Sequence, residues 1–357
     1  DSFMKKISKI MSLVLAGAMV LSMTACAGNT AETTSAAAKT QETEADTASK
    51  AEETTGAEAS ESETAAKAEG TTYKIGVLQL VQHTALDAAN DGFIAALDDA
   101  GIAYEVDQQN ASGDQSACQT VASKFANEKK DLILAIATPA AQAMVGAVED
   151  TPVLITAVTD PAESGLVNTN EKPGANVTGT SDLTPVKEQI DLLKQLVPDA
   201  RTVGVLYCSA ESNSKIQADM AKEAIAAAGM QSKEYTVSSS NEIQTVVQSM
   251  VGAVDAVYAP TDNVIAAGMA TVGMVAGDNN LPVICGEAGM VQNGGLATYG
   301  IDYYQLGYMT GQQAVKILTE GASPADMPIE YLPAEKCELT VNEETAQTLG
   351  IDVSGAR

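Results

Sequence analysis

Tryptophan is absent from this sequence, phenylalanine occurs three times and histidine once in 357 residues. With so few aromatic rings, the interior must be filled by Ala, Val, Ile, Leu and Met. Cations are scarce too: 20 Lys and Arg stand against 47 Asp and Glu, a formal net charge of −27. A phosphate-binding surface needs clustered Lys and Arg, so nucleic acid is excluded as a partner. The lone histidine, His83, rules out an HExxH site, and no GxSxG occurs, so the common hydrolase signatures are missing and no enzyme is expected. No apolar run reaches the roughly 20 residues of a spanning helix; residues 10–23 come nearest.

Those residues have another reading. Lys5, Lys6 and Lys9 precede the apolar run, and Thr24-Ala25-Cys26 follows it. This is the layout of a secretory signal, assigned to residues 1–25. Leu21-Ser22-Met23-Thr24-Ala25-Cys26 resembles a bacterial lipobox, in which Cys26 is lipidated and becomes the new N-terminus; ordinary cleavage with Cys26 incidental is the alternative. Acyl chains on Cys26 would hold the protein at the outer face of the cell membrane. From Cys26 to residue 70 the chain is nearly all Ala, Thr, Ser, Glu, Lys and Gly, with ten acids against Lys39, Lys50 and Lys67. A segment without large apolar side chains cannot offset the entropy of ordering, so it reads as an extended, self-repelling stalk. The remaining cysteines, Cys118, Cys208, Cys285 and Cys337, could form two disulfides, but their spacing favours free, mostly buried thiols. No metal site and no cofactor is expected.

Beyond residue 72, apolar β-branched runs alternate with segments of helical period. Strands are expected at 74–81, 103–106, 131–136 and 151–156, with helices at 85–100, 114–128 and 139–148. The pattern then repeats: strands at 202–207, 231–237, 253–258, 281–285 and 296–300, helices at 185–196, 213–228, 240–250, 262–276 and 303–318, and final strands at 330–332 and 338–341. Such alternation implies parallel sheets flanked by helices. The predicted fold is α/β with two lobes, the first at 71–180 with a return at about 301–325. The second spans 181–300, with C-terminal strands crossing near 326–357. Ligands of such sheets lie beyond the C-terminal strand ends, here in the cleft between lobes, closed by a hinge.

The residues after the strands are therefore the candidates: His83, Thr138-Pro139-Ala140, Thr159-Asp160, Ser181-Asp182, Glu211, Asn213-Ser214, Thr261-Asp262-Asn263, Glu287 and Asp302-Tyr303. Most are small hydroxyl, amide or carboxylate groups at helix starts, and N-capping explains any one of them. As a set they suit a small zwitterion. Helix N-termini and hydroxyls accept a carboxylate, and an acid, Asp262 or Glu287, pairs with an ammonium group. His83 lines or gates the cleft. Tyr207 and Tyr258 are expected to pack in the core, while Tyr303 or Tyr304 stacks on a ligand ring.

Seven segments then carry a resemblance: IGVLQLVQHTALDAANDG (75–92), AIATPAAQ (135–142), TAVTDPAESG (156–165), NVTGTSDL (176–183), YCSAESNS (207–214), PTDN (260–263) and GIDYYQLG (300–307). In order, they resemble the ABC-transporter substrate-binding proteins for tryptophan and tyrosine, over 73–353. Thr84 stands where that family commonly has Pro, and Cys208 where it commonly has Asn. The resemblance implies the two-lobed periplasmic-binding fold, an amino-acid ligand with an aromatic side chain, and ABC permease and ATPase subunits as partners. A ligand-sensing receptor ectodomain with a membrane partner is the alternative. An exported hydrolase using Asp160 and Asp262 is the third and weakest.

Overall fold

The computed structural model describes residues 70–356. The signal segment, Cys26 and the acidic stretch up to residue 69 lie outside the described residues.

The first sheet is built from β1 (Tyr73–Gln79), β2 (Tyr104–Asn110), β3 (Leu132–Ile136), β4 (Val153–Val158) and β5 (Val177–Ser181). Helices α1 (Thr84–Asp99), α2 (Gln115–Glu128) and α3 (Thr138–Ala147) connect the first four strands. The chain then crosses to the second lobe. There, helices α4 (Val186–Leu196), α5 (Ser212–Ala227), α6 (Ile243–Met250), α7 (Asn263–Ala267), α8 (Met269–Asp278) and α9 (Ala288–Gln292) alternate with strands. Those strands are β6 (Thr202–Cys208), β7 (Gln231–Val237), β8 (Ala256–Ala259), β9 (Val283–Cys285) and β10 (Ala297–Gly300). The chain returns to the first lobe as α10 (Tyr303–Glu320) and β11 (Glu330–Tyr331), and ends in the second as β12 (Glu338–Val341) and α11 (Glu343–Leu349).

The sheet orders are β11-β5-β4-β3-β1-β2 and β12-β10-β9-β8-β6-β7. All pairings are parallel except β10 with β12. Both sheets therefore need a helix layer on each face. β3 and β4 are buried along their whole length, which is why they read as unbroken apolar runs. This is the two-lobed α/β periplasmic-binding architecture. Between 331 and 338 the chain crosses the hinge a third time, so β11 completes the first sheet and β12 the second.

Three elements escaped the sequence pattern. β5, with sequence VTGTS, has a mid-strand glycine and three hydroxyls. It is buried because those hydroxyls find partners: Thr180 bonds Thr156 at 2.9 Å and Thr310 at 2.8 Å, and Thr178 donates to the Met327 carbonyl at 2.6 Å. Satisfied hydroxyls can occupy a core that an apolar pattern would not assign to them. The short α9 and α11 are held by caps rather than long apolar stripes: Glu287 and Asn342 accept backbone N–H bonds at their starts. The expected single helix at 262–276 is broken at Gly268 into α7 and α8.

The helix α10 binds the returning chain to the first lobe by direct backbone contact with α1. A Cβ on Gly307 would lie 1.8 Å from the Ala89 carbonyl oxygen, and one on Gly92 would lie 1.9 Å from that of Tyr304. Cys118, Cys208 and Cys285 are buried free thiols, and Cys337 is a half-buried one. Among the described residues no helix is long and apolar enough to cross a membrane.

Candidate functional site

The C-terminal strand ends of the two sheets meet around an enclosed cavity. The first lobe and the hinge contribute His83, Thr159, Asp182 and Tyr303; the second lobe contributes Asn213, Thr261, Asp262, Asn263 and Glu287. The cavity holds about 20 Å³, room for a single water. Ligand-sized sites run from roughly 300 Å³ upward, so the lobes must part to admit a solute.

Three side-chain bonds cross the cleft. His83 Nε2 pairs with Asn263 Oδ1 at 3.2 Å. Gln217 Nε2 donates to Thr159 Oγ1 at 3.1 Å and to the Thr261 carbonyl at 3.0 Å, while its Oε1 accepts from Thr261 Oγ1 at 2.7 Å. Gln142 Nε2 donates to Ser212 Oγ at 3.4 Å.

The carboxylates divide by what they already hold. Asp262 caps α7, accepting from the Ile265 amide at 2.8 Å and, through its other oxygen, from the Cys208 amide at 2.6 Å. Glu287 caps α9, taking the Gly289 amide on one oxygen and the Met290 amide at 2.8 Å on the other. Each carboxylate thus has both oxygens engaged by backbone N–H groups, a capping role beside the expected one; a carboxylate offers about four lone-pair sites, so both remain acceptors on the cavity wall. Asp182 is different. Its Oδ2 accepts from the Tyr303 hydroxyl at 2.7 Å, the Thr159 hydroxyl stands beside the carboxylate, and the buried Oδ1 makes no hydrogen bond of good geometry. Burial pushes Asp182 up to about 6 and Glu287 up to about 7. Burial, with neighbouring Asp262, pushes Glu211 up to about 7, and burial also raises Asp262.

Among the described residues no Lys or Arg lines the cavity. The only basic side chain there, His83, is held below its usual value by burial. Buried anions without cations are costly, and this imbalance is what a cationic ligand group would relieve.

The other acceptors and donors follow the same logic. Asn213 donates to Glu211 Oε2 at 3.0 Å and leaves its buried Oδ1 unpartnered. Ser214 is buried and its Oγ accepts from Asn213 Nδ2 at 3.3 Å. Ser181 Oγ donates to the Thr159 carbonyl at 2.7 Å and braces the hinge. Thr138 is the first residue of α3, whose start has no side-chain cap, and its hydroxyl is 1% exposed yet without a partner. Ala137, just before it, adopts φ 84°, and Ala157 at the end of β4 adopts φ 54°. Such conformations cost about 1–3 kcal/mol and gather at ligand sites.

Four of the expected residues lie outside the cavity lining. Asp160 accepts from the Ala162 and Glu163 amides and from Asn170, so its carboxylate organises a turn outside the cavity. Asp302 is exposed and caps α10 through the Gln305 amide. Ala140 is packed in the first-lobe core. Pro139 lines a neighbouring chamber instead. Tyr303, rather than the 45% exposed Tyr304, faces the cavity, and it does so with its hydroxyl. Tyr258 is a core residue bonded to Gln189, and Tyr207 bonds Glu234.

With this geometry, residues 74–356 match the family of ABC transporter substrate binding proteins. The chain belongs to that family. It is 44% identical over 279 residues to the tyrosine-binding protein of Clostridioides difficile strain R20291, a match covering 77% of this chain and 80% of the relative. Two solved structures are each covered to 97% by 80% of this chain. One is the ABC domain from Streptococcus pneumonia in complex with L-Trp, at 39% identity and TM-score 0.77. The other is the ligand-free, open structure of a substrate binding protein with adhesive properties from Clostridium difficile, at 46% identity and TM-score 0.62. The less similar sequence of the two gives the better superposition. As an ABC substrate-binding protein the chain binds solute and is not an enzyme.

Gln217, which bonds Thr159 and Thr261 beside the cavity, escaped strand-end reasoning because it lies one turn inside α5. Its signal was present: Asn213, Ser214 and Gln217 occupy the buried face of that helix, where an apolar stripe belongs.

The capping geometry carries a prediction. Asp262→Ala should lower stability by about 1–2 kcal/mol through loss of the α7 cap and the Cys208 contact, with little change in affinity. Urea unfolding beside isothermal titration separates these effects. An unchanged midpoint with weakened binding would return Asp262 to the ligand.

Proposed function

We propose that this chain captures an aromatic amino acid in its zwitterionic form. It hands that solute to the permease and ATPase subunits of an ABC importer. A lipid on Cys26 holds it at the outer face of the cell membrane, with the acidic stretch as a tether. The observation that carries the reading is the pair of unpartnered buried acceptors, Asp182 Oδ1 and Asn213 Oδ1, in a cavity free of Lys and Arg. An ammonium group supplies both the hydrogen-bond donors and the charge that these acceptors lack. The carboxylate end is assigned to the uncapped start of α3 and its unpartnered Thr138 hydroxyl, reached once the lobes part. The names of the tyrosine-binding and L-Trp-bound relatives support an aromatic side chain.

A thermal-shift series over the proteinogenic amino acids tests it. Aromatic L-amino acids at 100 times their Kd should stabilise the protein by about 2.7 kcal/mol, and the decarboxylated amines should not. Equal shifts with the free amines would remove the carboxylate site; no shift with any amino acid would end the reading. Membrane partitioning of Cys26→Ser tests the anchor, which predicts release of that variant.

A further inference from the structure

The enclosed cavity is too small for an aromatic ring, and two larger spaces adjoin it. One, about 320 Å³, shares Glu287 and Tyr303 with the cavity and is bordered by the carboxylates of Glu287, Asp302 and Glu338. The other, about 400 Å³, shares Asn263 with the cavity and lies between the lobes. Its apolar wall comes from Leu80, Val81 and Pro139 on one side and from Cys208, Val264 and Ala267 on the other. A ring gains by leaving water for apolar surface, and three carboxylates make the first space the poorer choice.

Between the cavity and the second space stands a hydrogen-bonded partition. His83 pairs with Asn263, and Asn263 Nδ2 donates to Glu211 Oε2 at 2.7 Å. Glu211 Oε2 also takes the Asn213 amide at 3.0 Å and the Asn263 backbone amide at 3.4 Å. All three bonds fall on Oε2. Glu211 lines the chamber, and Oε1 holds none of those bonds, nor is it among the sealed, unpartnered buried atoms. It is a carboxylate acceptor on a chamber that combines the apolar wall with the neutral polar side chains of Ser112, Gln115, Gln142 and Ser238 to Ser240.

We propose that the ligand's ring lies in this chamber and that Glu211 Oε1 selects rings bearing an N–H or O–H donor, indole and phenol over phenyl. This rests on the amino-acid reading above. A site built to hydrogen-bond a substrate group rejects the analogue lacking it, because the acceptor is then desolvated without a partner. Glu211 is a specificity-determining residue in this assignment, and the cavity's acceptors remain the anchor common to all amino acids.

The test is isothermal titration of the full chain at pH 8, above the value of about 7 to which burial and Asp262 push Glu211. L-tryptophan, L-tyrosine and L-phenylalanine are titrated into wild type, Glu211→Gln, Ala267→Trp and Ala88→Trp. Wild type should prefer tryptophan to phenylalanine by at least about tenfold, the range of a hydrogen bond to a charged group. In Glu211→Gln the donors of Asn213 and Asn263 hold the amide oxygen, which turns its nitrogen toward the chamber. The preference for tryptophan should then shrink to within about threefold, with phenylalanine little changed. Ala267→Trp fills the chamber from an exposed position and should weaken all three ligands by at least about tenfold. A tryptophan-to-phenylalanine ratio unaltered in Glu211→Gln overturns the selection by Glu211. Wild-type affinity in Ala267→Trp, with loss in Ala88→Trp, overturns the chamber and puts the ring beside Tyr304. Failure of wild type to bind any of the three is instead the failure of the amino-acid reading itself.

Discussion

Asp182→Asn will abolish most of the ligand affinity while leaving the ligand-free protein at least as stable as wild type at pH 8. Asn keeps an acceptor for the Tyr303 hydroxyl, so the hinge contact survives. What it removes is the charge opposite the ammonium group. Leaving a buried charge unpaired costs roughly 2–5 kcal/mol, equivalent to about 30-fold to several-thousand-fold in Kd. The stability arm follows from the direction of the shift. Asp182 is pushed up to about 6 by burial, above its unfolded value of 3.8, so between these values the folded chain binds more protons than the unfolded one. This group's contribution is therefore fully present below about pH 4 and is lost as the pH rises through 6. Glu287 and Glu211, each pushed up to about 7, act in the same direction. Ligand-free wild type should thus gain stability from these groups between pH 8 and pH 5, whereas its affinity should fall below pH 6 as Asp182 is protonated. Titration calorimetry and melting curves at pH 5, 6, 7 and 8 check both trends. Normal binding by Asp182→Asn would place the ammonium elsewhere.

Gly307→Val will be the most destabilising of the single changes considered, by about 3 kcal/mol or more. A Cβ there meets the Ala89 carbonyl oxygen at 1.8 Å and its carbon at 2.6 Å. These are backbone atoms of α1, which cannot turn aside as a side chain can. Overpacking a core costs about 1–3 kcal/mol when side chains give way, and here two helices must separate. At the usual scaling for a domain of this size, Tm should drop by roughly 6–12 °C. Affinity should fall as well, because α10 carries Tyr303 at its first residue and any shift of the helix moves the Asp182 contact. Gly277→Ala, in α8 with open space around it and no positive φ, is the control for generic glycine replacement. A Gly307→Val protein melting with wild type would mean that α1 and α10 do not pack this closely.

The alternation of apolar runs and helical periods was enough to establish two α/β lobes, because strands buried on both faces cannot be written any other way. Placement of the site at the strand ends followed from that topology. Thr159, Asp182, Asn213, Thr261, Asn263 and Tyr303 do converge on the cavity. Sequence could not rank the carboxylates. Asp182, Asp262 and Glu287 all follow strands, and only the tertiary structure shows that two of them also cap helices through both oxygens while Asp182 Oδ1 makes no bond of good geometry. Nor could it find β5, whose hydroxyls become core groups only when Thr156 and Thr310 arrive from other elements. Gln217 meets Thr159 of the other lobe only through the tertiary fold, 58 positions away in sequence. What the chain order determined was the repeating pattern of local elements and the cleft that their connection forces. Which polar groups in that cleft are satisfied and which are free was decided by contacts between residues up to 180 positions apart, because a hydrogen bond depends on where its partner lies in space.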